Sequence, residues 1–253
     1  MEIIFLGTGT SQGIPIIGSK DPVCLSADIK DKRLRSSVII SCKDKQIVID
    51  TGPDFRQQML RHDIDKIDAI LYTHEHSDHT AGIDDIRPFC HRNGPMPIFA
   101  QERVMANLRE RFAYIFATEN RYEGAPSVAT HVVENKRFKL GEVSVVPIEV
   151  GHGNIQILGY RLEDFVYLTD VKTISDTEKI KLKGIKVLVV NALRIDLHPT
   201  HFNLQEALNF IADVQPERTY ITHISHKLGF HKEVEKQLPK NVFLAYDNLK
   251  ISL

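Results

Sequence analysis

The hydrophobic residues of this chain fall into short runs broken by polar turns, and two periodicities alternate along it. Glu2 to Leu6, Ser37 to Ser41, Gln46 to Asp50, Ile67 to Tyr72 and Ile98 to Ala100 have the apolar and β-branched content of strands. So do His131 to Asn135, Val143 to Val150, Gln156 to Leu162, Phe165 to Thr169, Lys186 to Asn191 and Arg218 to Thr222. Helical spacing marks Gly82 to His91, Gln101 to Ala117, Leu204 to Asp213 and Phe230 to Leu238. Phe55 to Arg61 makes a further short helix with Asp54 as its cap, and Asn203 or Thr200 fits that role before Leu204. Strands alternate with helices in both halves, Glu2 to Ala117 and Val143 to Leu253, which predicts an α/β sandwich of two sheets with helices outside.

Two segments break the pattern. Gly7-Thr8-Gly9-Thr10-Ser11-Gln12-Gly13 follows the first strand, but no further glycine opens a helix, and Pro15 with Ile16-Ile17 continues as loop. A tight turn at a site wall therefore fits better than a dinucleotide cradle. Gly18 to Arg35 is polar, with Asp21-Pro22 and the run Lys30-Asp31-Lys32-Arg33, and reads as an exposed loop carrying Cys24 alone.

The bulk numbers narrow the function classes. A net charge of -1 over 253 residues argues against an extended nucleic-acid surface. No apolar run approaches the roughly 20 residues of a bilayer span, and the N-terminus lacks a basic leader, so no membrane association is expected. Three separated cysteines, Cys24, Cys42 and Cys90, make a disulfide framework a poor account and suit a reducing, cytoplasmic setting.

The chemistry concentrates in Thr73-His74-Glu75-His76-Ser77-Asp78-His79, directly after an apolar run and ahead of the helix expected from Gly82. His74 and His76 are two apart and can face one point, while Asp78 and His79 aim at a second point beyond, so two ligand pairs suggest two metals. Glu75 faces away, solvated or supporting. Other candidate ligands close later strands: His152 in Gly151-His152-Gly153, Asp170 in Leu168-Thr169-Asp170, and His223-Ile224-Ser225-His226. Asp50 either forms a turn or fixes the orientation of a metal-bound imidazole. Arg87, Arg194 and the aromatic stripe from Phe112 to Phe116 are pocket contributors or ordinary surface and core residues.

The order His74-x-His76-x-Asp78-His79, then His152, Asp170 and His223, resembles the metallo-β-lactamase superfamily of metal-dependent hydrolases. The resemblance implies a single four-layer αββα domain over residues 1–253, with metals at the edge between the sheets. It assigns His74, His76 and His152 to one metal, Asp78, His79 and His223 to the other, and Asp170 as the bridge; Asp50 and His226 would support the ligands. Gly7-Thr8-Gly9 with Gly13-x-Pro15, Arg33-x-Arg35-Ser36-Ser37, Gly82-x-Asp84-x-x-Arg87 and Thr222 to His226 are similar to the phosphoribosyl 1,2-cyclic phosphate phosphodiesterase branch. In that branch a histidine ahead of the penultimate helix assists catalysis. His201 matches it, with His198 competing. The cysteine-rich structural zinc loop of that branch reads here as Gly18 to Cys24 with one thiol, so that zinc is not expected.

Two divalent cations, zinc or manganese, would acidify a bridging water, and the hydroxide would attack phosphorus. His201, with Asp78 also counted as catalytic, would protonate the departing alkoxide. The expected function is hydrolysis of a small phosphodiester, cyclic or open, with a homodimer as the assembly considered. A tRNA 3′-processing-type nuclease, a thioester hydrolase and a noncatalytic metal-binding protein are the alternatives.

Overall fold

The computed structural model describes all residues from Met1 to Leu253. The first sheet contains β1 (Glu2–Gly7), β2 (Ser37–Cys42), β3 (Lys45–Ile49), β4 (Ala69–Leu71), β5 (Met96–Ala100) and β6 (Val128–Val132). The second contains β7 (Phe138–Leu140), β8 (Val143–His152), β9 (Ile155–Leu162), β10 (Phe165–Leu168), β11 (Val187–Asn191), β12 (Arg218–Thr222) and β13 (Val242–Leu244). The last strand, β14 (Lys250–Ser252), returns to pair with β1, giving the orders β14-β1-β2-β3-β4-β5-β6 and β13-β12-β11-β10-β9-β8-β7. Strands β3 to β6 run parallel to one another, as do β10 to β13, while β3 is antiparallel to β2 and β10 to β9.

Alternation along the strands builds the layers. Phe165, Tyr167, Val187 and Val189 face the space between the sheets, where they meet Phe5, Ile40, Ile49 and Leu71. The intervening Val166, Leu168, Leu188 and Val190 turn outward beneath Ala207, Phe210 and Ile211 of the helix Leu204–Val214. On the other flank Ile39, Val48, Ile70 and Ile98 lie under Phe55, Phe89, Val104 and Leu108. Strands buried on both faces need continuous apolar runs, and this sequence supplies them. The result is the expected αββα sandwich. No helix is long and apolar enough to cross a membrane.

The sheets also touch through polar atoms beside the histidine-rich motif. Tyr160 on β9 donates from its hydroxyl to the Tyr72 carbonyl (2.7 Å), and the Leu158 amide donates to the Thr73 carbonyl (3.1 Å). Both partners lie just past β4, so the second sheet helps to fix where the motif begins.

Several local expectations need correction. The stretch from Gln101 to Ala117 breaks at Phe112 (φ −123°, ψ 41°) into helices Glu102–Arg111 and Ala113–Phe116. Helix formation after the motif starts earlier than Gly82, with the turn Ser77–Thr80 carrying Asp78 and His79. Asp54 does not cap its helix through its side chain; the carboxylate accepts from the Arg35 amide and guanidinium instead. Asn203 rather than Thr200 caps Leu204–Val214, in a reciprocal capping box with Glu206.

Nor is the Gly18 to Arg35 segment an open loop throughout. Cys24 is buried on the short helix Pro22–Leu25 against Ile14 and Val23. Arg33, 3% exposed, donates to Thr8 Oγ1 (2.7 Å), the Ala245 carbonyl and His231 Nδ1 (3.1 Å). This guanidinium sews the glycine turn to the C-terminal part of the chain, and a run of charges in sequence conceals that inward use.

Two measurements follow. Tyr160→Phe should leave the Tyr72 carbonyl without its partner and lower stability by about 1–3 kcal/mol in urea unfolding. Burial, with Arg33 beside it, lowers His231 to about 4 from the ordinary 6.5, so the native imidazole stays neutral where the unfolded one binds a proton. The stability that wild type holds over His231→Asn should therefore be full above pH 6.5 and shrink as pH falls toward 4, measured by unfolding at each pH.

Candidate metal centre

Each candidate ligand sits where a strand stops. His74 and His76 lie in the loop after β4, Asp78 and His79 on the turn that follows, His152 at the end of β8, Asp170 just past β10 and His223 just past β12. Asp50 follows β3 directly. Asp50, Asp170 and His223 all take left-handed backbone (φ 64°, 59° and 54°), a conformation that turns a side chain inward at a strand terminus. Gly52 makes room for the turn bearing Asp78 and His79, because a Cβ there would come within 2.2 Å of the Asp78 carbonyl oxygen.

The side chains converge. His74, His76 and His152 form one group, and Asp78, His79 and His223 another, with ligand atoms within 4.8 Å of one another in each. Asp170 lies between them: Oδ2 is 3.3 Å from His79 Nε2, and Oδ1 is 3.3 Å from His223 Nε2. His201 also reaches this carboxylate, with Nε2 at 2.8 Å from Oδ1, and its ring stacks on that of His223 (5.1 Å between centroids, 14° between planes). His74, His79, His152, Asp170 and His223 are buried, and His76 is exposed.

Three of the imidazoles, His74, His79 and His152, are anchored through their Nδ1 atoms. His79 Nδ1 donates to Asp50 Oδ2 (2.7 Å), and His152 Nδ1 donates to the Thr200 carbonyl (2.9 Å). Thr73 Oγ1 donates to Asp50 Oδ2 (2.8 Å) and receives His74 Nδ1 (3.0 Å). Each anchor leaves Nε2 of its imidazole for the centre, the arrangement that metal ligation requires.

Electrostatics couples the groups. Burial pushes His79 down, but Asp78, Asp170 and Asp50 override it and hold the imidazole well above its ordinary value. Burial likewise opposes charge on Asp170, yet His223 and His79 hold its carboxyl well below the carboxylate range. Asp78 is lowered in the same way, against burial, by His79 and His223. His74, buried and next to His79, is lowered well below the ordinary imidazole value.

Does this set fit divalent cations? His79 Nε2 and both nitrogens of His223 are buried without hydrogen-bond partners, and His74 Nε2 faces His76 Nδ1 at 2.9 Å. Such unpartnered nitrogens, interleaved with carboxylate oxygens, are a mixed donor set suited to zinc or manganese.

Other expected contributors separate. Glu75 does point away from the centre: its carboxylate pairs with Arg103, which also donates to the Gln156 carbonyl (2.9 Å) on β9. Arg111 donates to the Glu75 carbonyl (2.8 Å), Thr80 Oγ1 (3.0 Å) and Ser77 Oγ (3.1 Å). These two arginines of helix Glu102–Arg111 clasp the metal loop, and only the outward Glu75 hinted at them in sequence. His226, expected as a support, makes no hydrogen bond to the cluster, and its Nδ1 has no partner. Arg87 pairs with Asp84 and covers Tyr122, Arg194 donates to the carbonyls of Asp196 and Leu197, and Phe112 and Phe116 pack on the core. The glycine turn lies beside the centre, its Thr10 amide donating to the Ile224 carbonyl next to His223 (3.1 Å).

A profile of the beta-lactamase superfamily domain matches residues 45–224, the stretch that holds every candidate ligand. The chain belongs to the metallo-β-lactamase superfamily. It is similar over 99% of its length to an octanoyltransferase of Porphyromonas gingivalis (38% identical) and over 73% to a ribonuclease Z of Bacillus licheniformis (30% identical). It spans about half of each of those proteins, 51% and 55%. A crystal structure described as a new diphosphatase from the PhnP family superposes with a TM-score of 0.93 at 40% identity, covering 99% of this chain and 96% of that one. Zinc-bound PqqB from Methylobacterium extorquens shares the fold (TM-score 0.83, 17% identity, the full length of both chains). The likeness to the PhnP-family structure, over nearly the whole of both chains, places the chain in the PhnP-like branch of the superfamily.

If Asp50 orients His79 and the motif backbone as its contacts indicate, Asp50→Ala should weaken metal binding about 10- to 100-fold in chelator competition. Retained affinity would show that the ligands hold their geometry without it.

Proposed function

We propose that this chain hydrolyses a small substrate at a bridging P–O bond, a phosphodiester or a diphosphate, at a site built for two divalent cations. The observation that carries the reading is Asp170, whose two oxygens face His79 on one side and His223 and His201 on the other. His74, His76 and His152 would hold one ion, Asp78, His79 and His223 the second, with Asp170 shared. The likeness to a PhnP-family diphosphatase supports a phosphorus-centred substrate. When bound, the cations supply Lewis acidity toward phosphoryl oxygens and bring the ionisation of a water toward neutrality.

The protein's own part is proton placement. Alkoxide and phosphate leaving groups need neutralising as the P–O bond lengthens. His201 lies beside both ligand groups, its side chain 12% exposed, with Nε2 turned to the centre. It is the proton donor in this reading. The buried Asp50 keeps His79 and the motif in place while Asp78, 14% exposed, faces the open side.

The net charge of -1 disfavours the ribonuclease alternative, which must grip a long polyanion. The transferase relative is twice this chain's length, so acyl thioesters belong in the assay as a competing substrate class. Zinc- or manganese-reconstituted protein should turn over cyclic ribose phosphates, 2′,3′-cyclic nucleotides or a dinucleoside diphosphate faster than a thioester; the reverse order would sink the proposal. His201→Ala should lower kcat by about 10²- to 10⁴-fold with metal content unchanged, measured by elemental analysis alongside turnover. Loss of metal would make His201 a ligand instead.

A further inference from the structure

Outside the two ligand groups, Thr200 touches three histidines. Its carbonyl accepts from His152 Nδ1 (2.9 Å), and its hydroxyl lies 2.9 Å from His201 Nδ1 and 3.2 Å from His198 Nδ1. Its amide donates to His198 Nδ1 (3.3 Å), and the two Nδ1 atoms of His198 and His201 are 3.1 Å apart.

The directions of these bonds follow from the one group whose hydrogen is fixed. A backbone amide can only donate, so His198 Nδ1 is an acceptor without a hydrogen. Two bare nitrogens at 3.1 Å would repel, so His201 Nδ1 carries the hydrogen and presents it to His198 and Thr200. Asp170 can only accept, so Nε2 at 2.8 Å from its Oδ1 also carries a hydrogen, the one the ring can give up, and the ring is held flat on His223. Pro199 stiffens the backbone between His198 and Thr200. Gly153 permits the close approach, since a Cβ there would meet Thr200 Cγ2 at 2.9 Å.

We propose that Thr200 and His198 are positioning residues for His201, engaging its Nδ1 hydrogen and fixing its orientation toward the centre. Both act through the imidazole rather than on substrate. The inference rests on the reading of His201 as proton donor.

Thr200→Val removes the hydroxyl at nearly constant volume and leaves the carbonyl that anchors His152. In the zinc-reconstituted full chain, this variant should lose about 10- to 100-fold in kcat while KM and bound zinc stay at wild-type values. Thr200→Ser should restore kcat, and His198→Asn, whose Oδ1 replaces the lost acceptor, should be faster than His198→Ala. Imidazole NMR of wild type should place a hydrogen-bonded proton on His201 Nδ1, and Thr200→Val should lose that bound proton's signal. Wild-type kcat with an unchanged His201 spectrum in Thr200→Val overturns the proposal. So does loss of zinc, which would reduce Thr200 to support of a ligand. His201→Ala in the same series separates the two readings: if it keeps wild-type turnover, the proton-donor reading fails, while the spectrum still decides whether Thr200 sets the ring.

Discussion

One buried carboxylate organises the centre. Asp50 accepts the Thr73 amide (2.8 Å), the Thr73 hydroxyl (2.8 Å) and His79 Nδ1 (2.7 Å) with no exposure to solvent. Burial raises its pKa above the ordinary carboxylate value, and the His79 interaction and the Thr73 hydrogen bonds limit that rise. A charge taken out of water persists only where such donors replace the lost hydration. Here the replacements are the backbone of the metal loop and one of its imidazoles, so stability of the interior and geometry of the site are the same set of bonds.

That coupling explains what could be read from sequence. The apolar runs identified the strands because parallel strands in a sandwich are covered on both faces, and their alternation sorted Tyr167 from Leu168 and Val189 from Val190 into different layers. The ligand candidates were legible because rare residue types were packed into Thr73 to His79 and recurred at strand ends. Their approach to one another is a finding of the structure, since nothing local in Asp170 or His223 states which strand end will face which.

The unread parts share a cause. Arg33 looked like one member of a charged surface run and is instead a buried tie. Arg103 and Arg111, on which the helical spacing of their segment is silent, clasp the loop from outside. His226 was expected to support the ligands beside His223, yet it makes no hydrogen bond to them. In each case the side chain's destination depends on a partner distant in sequence, where one-dimensional periodicity has no purchase.

The left-handed backbone at Asp50, Asp170 and His223 has a further consequence. A residue with a Cβ in that conformation costs on the order of 1 kcal/mol relative to glycine, and three such positions surround one point. Glycine at any of the three corners would therefore ease the backbone and in the same step remove a side chain from the centre, so relief of conformational cost and loss of the ligand set are one change.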